Sequence, residues 1–255
     1  MHRFALLAAL LASLPLVAQA QPATEPPTLV EAWLAWQEER QANGQPPFDW
    51  AYSYALRASD GARLEARQTR LVAELEGLAA VVTAHGDRQS ASGLAGWAQA
   101  LEAQDALPAR SPEALGLPEL ASDLRQNPAM AAITLLGTCA PPPWIEAWTR
   151  DGVKRLAWQP GMTLDDAFAA LPDGAVRDID TAVMITPLGE QHELGIAAWN
   201  HQDAPLPPGA RVVVQLPERG LGGTREGEVI NRELAAWLGT RLPGDDCVLW
   251  GQGNE

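Results

Sequence analysis

Two strand-like runs, a tight turn and a capped helix follow one another in residues 144–174, and this order restricts the fold more than any other stretch. The runs WIEAWT and VKRLAW flank Asp151-Gly152, a dipeptide typical of a β-hairpin because glycine accepts a positive φ angle. Thr163 has Asp166 three residues later, which approximates a helix capping box. The stretch therefore predicts a hairpin followed by a short helix.

Three further strand-like runs follow that helix, at residues 182–186, 192–199 and 211–216. Two strands, a helix and three strands is the order of a β-grasp (ubiquitin-like) unit, in which a helix crosses one face of a small mixed sheet. We therefore predict an α+β fold with a β-grasp domain over residues 136–219. In this fold, the cluster Trp199-Asn200-His201 closes the second of the three runs.

A pair of helices is predicted in the first half of the chain, at about residues 60–107. Apolar residues recur at helical spacing over residues 64–82, and a second amphipathic run covers residues 93–107. The polar connection at residues 87–92 predicts that the two helices fold back as an antiparallel hairpin. Prolines recur beyond this pair, and we place the end of an N-terminal domain, residues 21–135, among them.

The C-terminal segment, residues 220–255, is predicted to contain a glycine-rich link, an amphipathic helix and a tail. The apolar face of the helix consists of Ile230, Leu234, Trp237 and Leu238. The tail carries Cys247, and the other cysteine of the chain is Cys139. Two cysteines usually pair in an oxidising compartment, so we predict a disulfide; two buried free thiols are the alternative.

Residues 1–20 have the pattern of a cleavable signal peptide, with an apolar run and a small-x-small site at Ala18-Gln19-Ala20. A transmembrane anchor is the alternative, but Pro15 interrupts the short apolar run. We therefore predict an exported protein that does not span the membrane. Its net charge of −14 disfavours nucleic acid and anionic lipid as partners, because like charges repel.

The sequence contains no motif that assembles a catalytic, cofactor or metal site. His192-Glu193 would need a histidine at position 196 to form a zinc motif, and Ile196 stands there. The run GLGGT lacks the Gly-Lys-Ser/Thr ending of a phosphate-binding loop. Asp165-Asp166 are adjacent in a predicted helix, so their side chains point apart, and helix capping explains them. We predict no catalytic, cofactor-binding or metal-binding residue.

Tryptophans and a polar cluster are the candidates for ligand or partner contact. The chain has ten tryptophans, and tryptophan faces stack on sugar rings and anchor protein interfaces. Trp144 and Trp148 share one face of a predicted strand that we expect to be half exposed. Trp199, Asn200 and His201 are candidates for contact with a sugar or a partner backbone. The alternative is that Asn200 caps the strand end and His201 is solvated.

The chain resembles the capsule biosynthesis GfcC-like family, exported proteins of polysaccharide-secretion operons, in three stretches: ARLEARQTRLVAELEGLAA, AVMITPLGEQHELGIAAWNHQDAPLPPGARVVVQLP and VINRELAAWLGTRLPGD. The resemblance covers about residues 60–245. It implies a periplasmic protein with two β-grasp-like units, the first interrupted by a helical hairpin, and a terminal amphipathic helix. Because residues 21–59 lack a clear opening hairpin, the first unit is expected to be reduced. The family tends to carry an arginine just after the hairpin, and Arg110 is the nearest match.

The resemblance implies a non-catalytic accessory role, without a cofactor, in capsule or exopolysaccharide biosynthesis or export. The implied partners are the outer-membrane polysaccharide export machinery, other products of the same operon, or the polysaccharide. A carbohydrate-binding module that uses Trp144, Trp148 and Trp199 is the alternative. An enzyme acting on cell-envelope glycans is a third hypothesis, and it requires paired carboxylates in one cleft, about 5–10 Å apart.

Overall fold

A computed structural model describes residues 27–104, 108–216 and 226–250 of the chain. The predicted signal peptide, residues 1–20, and the glycine-rich link before the last helix lie outside these residues. The described residues form helices and two β-sheets, which confirms the predicted α+β class. Within these ranges, each helix is too short or too polar to cross a membrane.

The elements of the fold alternate along the chain. The helices are α1 (Leu29–Ala42), α2 (Gly61–Ala84), α3 (Arg88–Glu102), α4 (Leu117–Ser122), α5 (Leu164–Ala169) and α6 (Glu226–Leu238). The strands are β1 (Ser53–Arg57), β2 (Ile133–Cys139), β3 (Trp144–Thr149), β4 (Gly152–Ala157), β5 (Thr181–Ile185), β6 (Gln191–Gly195), β7 (Arg211–Val214) and β8 (Cys247–Leu249).

A five-stranded sheet forms the centre of the molecule, with the strand order β4-β3-β7-β5-β6. β3 and β7 run parallel, and the other neighbouring pairs run antiparallel. The predicted hairpin is confirmed: Thr149 pairs with Gly152, which has a φ of 108°. The predicted capping box is also confirmed, because Asp166 N–H donates to Thr163 Oγ1 and Thr163 N–H donates to Asp166 Oδ2.

Helices cover both faces of this sheet. Successive side chains of a strand point to opposite faces. On β5, Val183 and Ile185 pack with side chains of α2, α3 and α6, whereas Ala182 and Met184 pack with side chains of α5. The sheet is therefore the middle one of three layers, and both of its faces are apolar.

α2 and α3 pack against each other and against the sheet through leucines of the predicted apolar stripes. Gln68 fills a gap in the stripe of α2, where its side chain is buried and donates to the Leu101 carbonyl at 2.7 Å. The predicted connection at residues 87–92 is too long. α3 already begins at Arg88, because the Asp87 side chain accepts a hydrogen bond from Ser90 N–H at 3.1 Å and caps the helix.

A second, three-stranded sheet has the order β1-β2-β8, with both pairs antiparallel. Cys139 of β2 and Cys247 of β8 form the predicted disulfide, which links residues 108 positions apart. β2 runs through the boundary predicted between residues 135 and 136, so this sheet draws strands from both sides of it. The division of the chain at that boundary stays a prediction.

Candidate functional site

An open cleft of about 680 Å³ lies where the β5–β6 side of the large sheet meets α6. We call it the Trp199 cleft, after the aromatic residue on its wall. The charged and aromatic residues among its lining are Asp178, Asp180, Glu193, Trp199, Glu228 and Arg232. Its volume lies within the range of about 300–1,000 Å³ typical of small-molecule sites.

Trp199 stands at the mouth of the cleft with 77% of its surface exposed. The strand predicted over residues 192–199 is shorter than expected, since β6 ends at Gly195 and the chain turns at residues 198–200. Asn200 shapes that turn: its Oδ1 accepts from Ala197 N–H and its Nδ2 donates to the Asp180 carbonyl, each at 3.0 Å. The turn thus holds the indole outside the sheet.

Two close approaches fix the position of this turn. A Cβ atom at Gly195 would lie 2.1 Å from the Asn200 carbonyl oxygen, so the strand end accepts glycine alone without a shift of the backbone. The indole Nε1 of Trp199 points to Asp180 Oδ1, 3.4 Å away. One edge of the ring is therefore held while its face remains open to solvent.

The floor of the cleft joins the sheet to α6. Asn231 of α6 accepts a hydrogen bond from Leu216 N–H and donates one to the Leu216 carbonyl, both at 2.8 Å. Beside them, Thr181 Oγ1 donates to Gln215 Oε1. The Asn231 amide therefore connects α6 to the end of β7 at the base of the cleft.

Charge in the cleft is mainly negative. Among the residues that the structure describes, four carboxylates line it, against one guanidinium, that of Arg232. Asp178 adopts a φ of 59°, in the left-handed region that few residues other than glycine visit. Carboxylates accept hydrogen bonds from hydroxyl and amine donors, so the cleft suits a ligand rich in such donors.

The predicted cluster Trp199-Asn200-His201 divides in the structure. Trp199 and Asn200 line the cleft, whereas His201 lies against α5, with its Nε2 3.2 Å from Asp165 Oδ2. Asn200 makes the local backbone contacts that a turn residue makes, as the alternative interpretation expected.

The expected exposure of Trp144 and Trp148 is wrong, because α3 covers Trp148 and the side chains of Arg155 and Asp245 lie against Trp144. Trp144 is 8% exposed and Trp148 is fully buried. Trp148 packs edge-on against Trp97 of α3, with the ring centroids 5.9 Å apart. The Trp144 indole donates to Asp245 Oδ2 at 2.7 Å, and the Arg155 guanidinium lies over its ring.

Arg110, the residue matched to the family arginine, lies in the interior and is 4% exposed. Its guanidinium donates to the carbonyls of Gly239 and Pro187. Burial, followed by repulsion from Arg211 and Arg241, lowers the pKa of Arg110 to about 9. Arg110 therefore connects the end of α6 to the β5–β6 turn, away from the surface.

Sequence reasoning missed the carboxylates of the cleft and the buried Glu146. Glu146 accepts from the Trp148 indole at 2.7 Å and lies 3.6 Å from Arg211 Nε. Asp180 and Glu228 come from segments far apart in the chain, and no local pattern joins them. The described residues contain no group of three or more His, Cys, Asp or Glu side chains placed to hold a metal ion.

Residues 153–243 match a family model described as capsule biosynthesis GfcC C-terminal. The match confirms the predicted resemblance over two of its three stretches; the helical stretch before residue 84 lies outside it. The matched residues include β5, β6 and α6, which contribute residues to the lining of the Trp199 cleft. No curated protein gave a significant match to the chain.

Proposed function

From the match of residues 153–243 to the capsule biosynthesis GfcC C-terminal family model, we propose that the chain is an exported, non-catalytic accessory protein of capsule or exopolysaccharide assembly. It acts through contacts made by its surfaces. The observation that carries this proposal is that the family match coincides with the walls of the Trp199 cleft. That coincidence makes the cleft the first surface to test.

The topology of the large sheet supports its assignment as a β-grasp domain. Its first and last strands, β3 and β7, lie side by side and parallel, and α5 connects the two hairpins across one face. β1 and β2 then represent a reduced first unit, into which the α2–α3 hairpin is inserted. The proposed domains are residues 21–135, 136–219 and 220–255, and residues 136–139 of β2 extend the first unit across the first boundary.

The proposed location is the periplasm, after cleavage of residues 1–20. A disulfide between Cys139 and Cys247 fits an oxidising compartment. Fractionation of the native host, with the intact mass of the purified protein, tests both points. A mass that begins at Gln21 and lacks two hydrogens is expected; a cytoplasmic protein with residues 1–20 retained would contradict the proposal.

The proposed partners are the outer-membrane polysaccharide export machinery or other products of the same operon. The test is a deletion strain that is complemented with the wild-type chain or with a Trp199→Ala variant, followed by measurement of surface polysaccharide. We expect loss of the polysaccharide on deletion and recovery with the wild type. Unchanged surface polysaccharide in the deletion strain would refute the accessory role.

Direct binding of polysaccharide is the second candidate, and one observation favours it. Trp199 is 77% exposed at a cleft, whereas the other two tryptophans proposed for this role, Trp144 and Trp148, are buried. Because carboxylates line the cleft, the non-catalytic role needs its own control. Purified protein incubated with labelled host polysaccharide should leave its chain length unchanged, and shortened products would indicate an enzyme.

A further inference from the structure

We propose that the Trp199 cleft selects saccharides by charge: it binds segments without carboxylates, binds them more tightly when they carry free amines, and rejects acidic ones. This proposal deepens the polysaccharide-binding function proposed above and rests on it. It concerns the class of sugar, which the family match does not address.

The exposed indole supplies the binding platform. The face of a tryptophan ring packs against the C–H face of a pyranose ring, and 77% of Trp199 is open to solvent. Its Nε1 edge is held by Asp180 and its backbone turn by Asn200. A backbone turn that is already fixed loses little conformational freedom when a ligand binds, which favours affinity.

The polar groups around the indole match a sugar and not an apolar ligand. Asp178, Glu193 and Glu228 line the same open space. Hydroxyl groups of a sugar donate to carboxylates in short, charge-assisted hydrogen bonds. An aromatic face beside several acceptors is the arrangement that a ring with one apolar face and many hydroxyls requires.

The charge balance decides between classes of sugar. Within residues 27–104, 108–216 and 226–250, four carboxylates and one guanidinium line the cleft, and the chain as a whole carries a net charge of −14. A uronic acid would bring a further carboxylate into this field and would be repelled. A glucosamine ammonium would be attracted, and an N-acetylated or simple hexose would feel neither effect.

The first experiment is a glycan array printed with neutral, amine-bearing and uronic acid oligosaccharides and probed with the full-length secreted chain. Retention of neutral and amine-bearing members without the acidic ones supports the proposal. Retention of the acidic members, or of none, overturns it.

The second experiment localises binding in solution with chitotetraose, the glucosamine tetramer and tetragalacturonate. Since the chain has ten tryptophans, bulk fluorescence would dilute the response, so the indole N–H signals are followed by NMR. The signal of Trp199 is identified by its loss in Trp199→Phe. It should shift with the first two tetramers and stay fixed with the third.

Variants distinguish the contribution of the Trp199 indole to binding from that of the carboxylates of the cleft. Trp199→Ala should weaken chitotetraose binding by about tenfold or more, while Leu124→Ala, which trims a side chain 65% exposed outside the cleft, should change nothing. The double variant Glu193→Gln, Glu228→Gln should reduce the ratio of the affinity for the glucosamine tetramer to the affinity for chitotetraose. Equal affinity of the wild type and Trp199→Ala, with both folded by circular dichroism, would overturn the proposal.

The two proposals can fail separately. If the purified chain selects saccharides as predicted but a deletion strain has an unaltered capsule, the accessory role is refuted and the binding site is supported. If deletion abolishes the capsule, Trp199→Ala fully restores it and the wild-type chain binds no saccharide, the accessory role is supported and the binding site is refuted.

Discussion

Asn231 on α6 and Leu216, two residues past the end of β7, exchange a pair of hydrogen bonds of 2.8 Å through one side-chain amide. The backbone N–H and the carbonyl of Leu216, which is buried, each have a hydrogen-bond partner as a result. The amide takes the place of a neighbouring strand there, and it ties the last helix to the sheet.

Asn231→Ala should therefore destabilise the protein by about 2–4 kcal/mol, because a buried N–H and a buried carbonyl lose their partners. Asn231→Asp keeps an acceptor for Leu216 N–H and removes the donor, so it should also destabilise. Urea unfolding monitored by circular dichroism measures the effect. The exposed neighbour gives the control: Arg232→Ala should stay within about 0.5 kcal/mol of the wild type. Equal midpoints for both alanine variants would contradict the role of the amide.

Glu146→Gln should cost about 3–5 kcal/mol, because it leaves the buried guanidinium of Arg211 without its anion. Glu146 and Arg211 are 4% and 5% exposed, and Arg211 Nε lies 3.6 Å from Glu146 Oε1. The matched control is Glu190→Gln, since Glu190 forms an exposed pair with His192. Exposed pairs contribute about 0–1 kcal/mol. Thermal unfolding at neutral pH compares the stability of the two variants with that of the wild type. A similar loss of stability in both variants would argue against a buried ion pair.

Gly93→Ala should disrupt the contact of α3 with the β3–β4 turn. A Cβ atom at residue 93 would lie 1.9 Å from the Arg150 carbonyl oxygen, so the helix must move away. Such overpacking costs about 1–3 kcal/mol or more. Gly77→Ala in α2 meets nothing within 4 Å and should instead stabilise by about 0.5–1 kcal/mol, as alanine does in a helix. Opposite shifts in the unfolding midpoint are expected, and shifts of the same sign would contradict the packing.

Tyr52 and Tyr54 are the two tyrosines of the chain, and both are buried. Burial raises the pKa of each to about 12, with a smaller contribution from Asp49 at Tyr52. Tyrosinate absorbance of the native protein should therefore rise near pH 12, against about pH 10 in denaturant. Between these values the native state holds the protons that the unfolded state has lost, so the free energy of unfolding falls as pH rises. Native titration near pH 10 would refute this.

The bond between Cys139 and Cys247 should stabilise the protein by about 4–5 kcal/mol in the chain-entropy model, because it closes a long loop of the unfolded chain. The double variant Cys139→Ala, Cys247→Ala removes the bond without leaving a thiol. Urea unfolding with and without reductant compares it with the wild type. Reductant should lower the midpoint of the wild type and leave the variant unchanged; a wild type insensitive to reductant, although fully reduced by mass, would contradict the prediction.

Local signals predicted the middle of the chain well. Asp151-Gly152 sets the hairpin by backbone conformation alone, and Thr163 with Asp166 sets the start of α5 by neighbouring side chains. The apolar face of α6 was likewise readable from spacing, and its four predicted residues are buried. Each of these features depends on residues within a few positions of one another.

The burial of Trp148 and the cleft beside Trp199 depend on distant residues, and the sequence could not supply them. Trp148 is covered because α3 packs on that face of the sheet. Trp97 of α3 donates a hydrogen bond to the Thr149 carbonyl, and these two residues are 52 positions apart in the chain. Trp199 becomes part of a cleft because α6 follows β7 and lies beside it. A pattern within one strand cannot indicate which helix will cover it.

The position of β8 has a consequence for the order of assembly. Synthesis proceeds from the amino end, yet the smaller sheet takes its third strand from residues 247–249. A nascent polypeptide can complete the large sheet first, while β2 still exposes an open edge and a lone thiol. Closure of that edge requires residues 247–249, so a chain that stops short of residue 247 leaves the edge and the cysteine available to foldases and proteases.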